Sequence, residues 1–211
     1  AVYVDEFRRG YFPDSCPPSS HIVLNFPEEG DRQKVTMHWM DGGIQPERPE
    51  ELEPNEIMGD GGNGVLMIGD KGTMMCSTYG RNPRLLPTSL NEVIAVPETI
   101  SRVPEGHYHQ WVNGCLAGYG EMKMSSGFET AGPLTESILM GNLAIRSYDY
   151  LEQVTETYTD DTGVEKSRVR DTFPGRNIQL LWDGPNMKIT NFEPANQFVK
   201  REYRDGWSLG I

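Results

Sequence analysis

The apolar periodicity changes along this chain, and that change limits the folds open to it. Residues 20–26 (SHIVLNF) and 35–40 (VTMHWM) are rich in β-branched and aromatic types, with a turn at 27–31, which predicts paired strands. Residues 41–63 form a long loop rich in Gly, Pro and Glu, of a length usually found in functional or disordered segments. Residues 65–68 and 73–77, joined by a Gly69-Asp70-Lys71-Gly72 turn, predict a hairpin. Spacing then becomes helical. Tyr108, Trp111, Val112, Cys115 and Leu116 fall at i, i+3, i+4, i+7 and i+8, one stripe expected to face a core, and Gly118 ends that helix. A second helix is expected from Pro133 to about Ser147. Its Leu134, Ile138, Leu139, Leu143 and Ile145 cover more than one face, which predicts deep burial. Gly141 in its middle costs about 1 kcal/mol of helix propensity, which close contact with a neighbouring element would offset. Residues 151–158 and 177–182 read as strands again, separated by the polar stretch 159–170. Strands, then helices, then strands imply an α+β class: one largely antiparallel open β-sheet with helices packed on one face. The other face is left for a ligand or a partner.

A chain of 211 residues suits one large domain, 1–211, with a substantial core. Its net charge of −12 repels phosphate backbones, so nucleic acid is excluded as a partner and the acidity is read as solubility. Cys16, Cys76 and Cys115 cannot all pair, resemble no metal-site spacing, and are read as small buried apolar residues. The longest apolar runs, such as 138–140, are far short of a membrane span. Ala1-Val2-Tyr3-Val4 has neither a charged n-region nor an apolar h-region. It reads as the middle of a strand and points to a processed or artificial start, which leaves the compartment open between cytoplasm and periplasm.

Several motifs resemble chemistry without its context. Gly59-Asp60-Gly61-Gly62-Asn63-Gly64 fits G-x-G-x-x-G, but a dinucleotide fingerprint needs a strand before it and a helix after it. Strand-like Val65-Leu66-Met67-Ile68 follows instead, and residues 78–91 contain no acidic ribose partner. Gly206-Trp207-Ser208-Leu209-Gly210 fits the hydrolase elbow, yet no helix, acid or His follows it. His107 and His109 sit at i and i+2 of a helix start and point apart, and nothing along the chain sets His21 and His38 at metal-ligand spacing, so no metal is expected. Trp39 and Asp41 share one side of a strand, while His38 and Met40 share the other. An aromatic ring beside a carboxylate suits a sugar, the ring packing on C–H groups and the acid accepting hydroxyl hydrogen bonds. Trp as core residue and Asp-Gly-Gly as an ordinary turn explain the pair equally well. Tyr79, Arg81 and Arg84 suit a hydroxylated or acidic substrate or a neighbouring subunit, with solvated loop side chains as the competing explanation.

Longer segments carry a resemblance. WMDGG (39–43) with RPEEL (48–52), GVLMIGDKGTM (64–74), NPRLLP (82–87) and WVNGC (111–115) come first. FETAGPLTESILMGNLAIR (128–146), LLWDGPNMKITN (180–191), EPANQFV (193–199) and REYRDGW (201–207) follow. Together they resemble, in family order, the C-terminal domain of the Gfo/Idh/MocA oxidoreductases, named for glucose–fructose oxidoreductase and inositol dehydrogenase, in a Bacteroidetes-type branch. The segment 165–173 and the stretch before it look like a longer connection than usual there. The resemblance implies an enzyme that moves a hydride between NAD or NADP and a hydroxyl carbon of a sugar, glycoside or cyclitol. A Rossmann domain outside this chain would bind the nucleotide, and this domain would bind substrate and form oligomers through its open sheet face. The catalytic Lys and Gly-x-x-x-His segment of such enzymes are unmatched, so no catalytic residue is carried over and this chain alone is expected to be inactive and cofactor-free. The candidate substrate-binding residues are Trp39, Asp41, Arg48, Tyr79 and Arg84. A free-standing carbohydrate-binding or scaffolding module and the domain of an NAD-dependent glycosidase are the alternatives.

Overall fold

The structure, a computed structural model, describes residues 15–207. The expected strand at Ala1–Val4 and the Ser208-Leu209-Gly210 end of the elbow-like motif lie outside them. In chain order the elements are β1 (His21–Phe26), β2 (Val35–Met40), β3 (Val65–Gly69), β4 (Gly72–Cys76), β5 (Arg84–Leu86), α1 (Gly106–Ala117), α2 (Phe128–Tyr148), β6 (Glu152–Thr159), β7 (Glu165–Thr172), β8 (Trp182–Asp183) and β9 (Lys188–Ile189). The fold is mixed α and β with small antiparallel sheets. The antiparallel pairing expected from the sequence is present. Among the described residues the strands are divided among four small sheets, β1–β2, β3–β4–β5, β6–β7 and β8–β9, where one open sheet was expected.

Chain contacts define two compact units. Among the described residues, the first comprises 15–44 with 128–207. Leu143, Ile189 and Ala195 form its core, with Leu180, Trp182 and Phe192 packed around them. Gly141 allows α2 to approach β1: a Cβ there would lie 3.3 Å from Ile22 Cδ1. That is the close contact anticipated for a glycine inside this helix. Gly175 is tighter still, since a Cβ on it would overlap the Ser147 carbonyl oxygen.

α2 begins at Phe128, five residues before the expected start, and Pro133 lies inside it. Leu143 is buried as predicted, but Leu134, Ile138 and Leu139 are exposed. Only one face of the helix meets β1 and the C-terminal segments. The stretch expected to be a connection is strand β7, paired residue for residue with β6. Its sequence EKSRVRDT lacks apolar alternation because both faces of this ladder are mostly exposed. Arg168 donates two hydrogen bonds to Glu156, directly opposite, and with Arg170 holds that carboxyl below the usual glutamate range. The Asp160 carboxylate closes the turn by accepting from the amides of Thr162 and Val164. The strand expected at 177–182 is reduced to Trp182 in β8. Asn177 has φ +62°, and the side chain of Asn191 takes the Leu181 amide and the Gln179 carbonyl that a ladder would use.

The second unit is Gln45–Gly127, with Leu52, Met75 and Leu86 as its core. α1 occupies the expected span and ends at Gly118, φ +103°. Its orientation is the opposite of that predicted. Gln110 is the buried residue, accepting from the Ser125 amide and hydroxyl at 3.2 and 2.7 Å, and Gly114 lies against Met124. Tyr108, Trp111 and Leu116 are 78%, 66% and 80% exposed. Cys115 is therefore exposed, as is Cys16, and only Cys76 is the buried thiol expected of all three. Among the described residues no helix is long and apolar enough to cross a membrane.

Candidate functional site

The β1–β2 hairpin places Ile22 opposite Trp39 and ends where the Asp41 amide donates to the Ser20 carbonyl at 3.0 Å. Pleat alternation then puts Ser20, Ile22, Trp39 and Asp41 on one side, as the sequence required. Asp41 Oδ1 accepts from the Ser20 amide at 2.7 Å, and the Ser20 hydroxyl lies 3.0 Å from both carboxylate oxygens. Trp39 Nε1 donates to Asp41 Oδ2 at 3.1 Å. The carboxylate is thus engaged by its own chain and orients the indole, which remains 49% exposed. A ring held this way offers an apolar face to C–H groups while its polar edge is already satisfied.

The opposite side of the hairpin carries a pair invisible along the chain. His21 Nε2 and His38 Nδ1 lie 2.9 Å apart, with ring centroids at 5.2 Å and planes tilted by 32°. Desolvation, and then the neighbouring His38, lower the His21 pKa below its usual value. The signal was the strand register, which sets His38 opposite Val23 and so diagonal to His21. His109 instead hydrogen-bonds the Glu105 carbonyl at 3.1 Å, and His107 packs on Tyr108. Among the described residues no three or more His, Cys, Asp or Glu side chains gather as a metal cluster.

Arg48, Tyr79 and Arg84 belong to the second unit. Arg48 Nη2 donates to the carbonyls of Glu53 and Glu56 at 2.6 and 2.9 Å, pinning the long loop. Arg84 donates to the carbonyls of Asn82 and Ile57, both at 3.1 Å. Both guanidinium groups therefore act on backbone carbonyls of their own unit. Tyr79 is 89% exposed at φ +60°, a conformation costly for a non-glycine residue, and Arg81 lies 5.7 Å from its ring centroid.

The 59–64 loop does not fit a dinucleotide. It leads into β3, with no helix to receive a pyrophosphate. Its amides already serve an internal anion: Asp60 Oδ1 accepts from Gly62 and Asn63, and Oδ2 from the Thr78 amide and hydroxyl. The Thr78 hydroxyl first, and then these amides, lower the Asp60 pKa.

Among the described residues, the clefts of the first unit include two that none of the five candidate residues lines. One, of about 720 Å³, lies between β1, α2 and the 175–182 segment, with Asn25, Tyr148 and Gln179 among its polar groups. The other, of about 380 Å³, is bordered by Glu136 and Trp182, whose Nε1 donates to Glu136 Oε1 at 2.6 Å. The polar residues of the C-terminal motif segments serve the fold. Asp183 accepts from the Asn186 amide and side chain, and Asn196 brackets Ile189, accepting from its amide at 2.7 Å and donating to its carbonyl at 3.0 Å. No protein-family model matches the chain, and no curated protein matches it significantly.

Proposed function

We propose that this chain is the substrate-binding and oligomerisation domain of an NAD(P)-dependent oxidoreductase of the Gfo/Idh/MocA type, acting on a hydroxyl of a sugar, glycoside or cyclitol. The observation that carries this reading is the half-exposed Trp39 indole, fixed by Asp41 and Ser20 at the mouth of the hairpin. An aromatic ring already held in place binds a hydroxylated ring at lower entropic cost than a free one. NAD or NADP would be held by a Rossmann domain outside these residues, since the glycine loop here does not fit it. The β6–β7 ladder, exposed on both faces, suits the sheet-mediated contact with a second copy that the family resemblance implies.

Calorimetric titration with a panel of sugars, glycosides and cyclitols tests this reading without nucleotide. Trp39→Ala is expected to weaken binding about tenfold, or about 1.4 kcal/mol, as loss of a packed aromatic contact does. Unchanged affinity in that variant would assign Trp39 a purely structural part. Hydride transfer by this polypeptide alone with NAD or NADP would overturn the division of labour. The same exposed indole also suits a free-standing carbohydrate-binding module, which would bind sugar as well and need no dinucleotide-binding partner.

A further inference from the structure

The face of the β1–β2 hairpin opposite Trp39 holds His21, Val23 and Asn25 on one strand and Thr36, His38 and Met40 on the other. The Thr36 hydroxyl donates to Asn25 Oδ1 at 3.1 Å, so those two polar groups satisfy each other. The imidazoles are left as the donors at the open end. We propose that His21 Nε2 and His38 Nδ1 together bind one borderline divalent transition-metal ion of the Cu(II) or Ni(II) class, in cis, with water in the remaining positions.

The geometry favours that class. Two metal–nitrogen bonds of about 2.05 Å spanning the observed 2.9 Å separation subtend about 90°. This is the cis angle of tetragonal and square-planar sites, which Cu(II) and Ni(II) prefer. A tetrahedral Zn(II) site would need the nitrogens opened to roughly 3.4 Å at the same bond length. His21 is half-buried and His38 exposed, so an ion from solvent can reach the pair. The proton balance is also simple. With both rings neutral, whichever imidazole donates across the 2.9 Å contact shifts its N–H proton to its far nitrogen and frees the facing one, so that step releases no net proton. Met40, directly across from His21, adds a soft thioether on the same face, while no carboxylate of the hairpin is there to draw the site toward Mg(II) or Ca(II).

The test is titration of the full chain with Cu(II) in a weakly coordinating buffer, followed by calorimetry and electron paramagnetic resonance. One ion per chain and hyperfine coupling from two imidazole nitrogens are expected. His21→Ala and His38→Ala should each weaken Cu(II) at least tenfold, whereas a His107→Ala/His109→Ala double variant should leave affinity unchanged. Coupling from fewer than two imidazole nitrogens in the unaltered protein would overturn the proposal, whatever the variants do. So would unchanged affinity in both single variants, or loss of the site in the double variant.

Discussion

Gly42 follows Asp41 at φ +63°, and a Cβ there would overlap the Pro18 carbonyl. The corner that fixes Trp39 therefore depends on glycine for both backbone angle and space. Gly42→Ala is expected to destabilise the protein by about 1–3 kcal/mol, as forced overpacking does, measured by urea unfolding. The shared side of Trp39 and Asp41 was legible because a strand repeats every two residues. The Ser20 hydrogen bonds that commit Asp41 to its own chain were not, since their donor lies 21 residues away. Arg48 and Arg84 illustrate the same limit: sequence marks them as cations, and only the loop path shows that their donors meet carbonyls. Asp60 supports a prediction in pH. Its folded pKa is lowered from 3.8, so its contribution is complete above that value and is lost as pH falls through the folded pKa. Stability measured from pH 6 downward should fall less steeply in Asp60→Asn than in the unaltered protein.

Helices and strands were read best where one face packs and worst where none does. The α2 interior glycine announced a close neighbour, and Ile22 is that neighbour. β7 escaped because its charged residues satisfy a two-sided exposed ladder by cross-strand pairing, which leaves no apolar period to detect. The α1 stripe was correct in spacing but faces outward, because Gln110 and Gly114 take the inner side with Ser125 and Met124. Gly175 carries the sharpest packing prediction. Gly175→Ala pushes a methyl group into the Ser147 carbonyl and should cost about 1–3 kcal/mol in thermal or urea unfolding. Gly141→Ala should stay within about 1 kcal/mol of neutral, because the gain in helix propensity is offset by crowding against the movable end of Ile22.

Each compact unit has its own small core, built from Leu143, Ile189 and Ala195 in one and from Leu52, Met75 and Leu86 in the other. Leu86→Ala should destabilise the Gln45–Gly127 unit by about 2–5 kcal/mol, seen as faster amide exchange in β4 and β5. The mixed α and β class and the antiparallel pairing followed from element order, whereas the division into separate ladders depends on long-range pairing that local periodicity does not encode. The proposed role makes this chain one part of a larger enzyme, and the mass of the native polypeptide tests that most directly. An antibody raised against these residues, applied to cells that make the protein, should reveal a band larger by on the order of 150 residues, the size of a dinucleotide-binding domain. A native band at 23.8 kDa would contradict the proposal and leave a carbohydrate-binding module in its place.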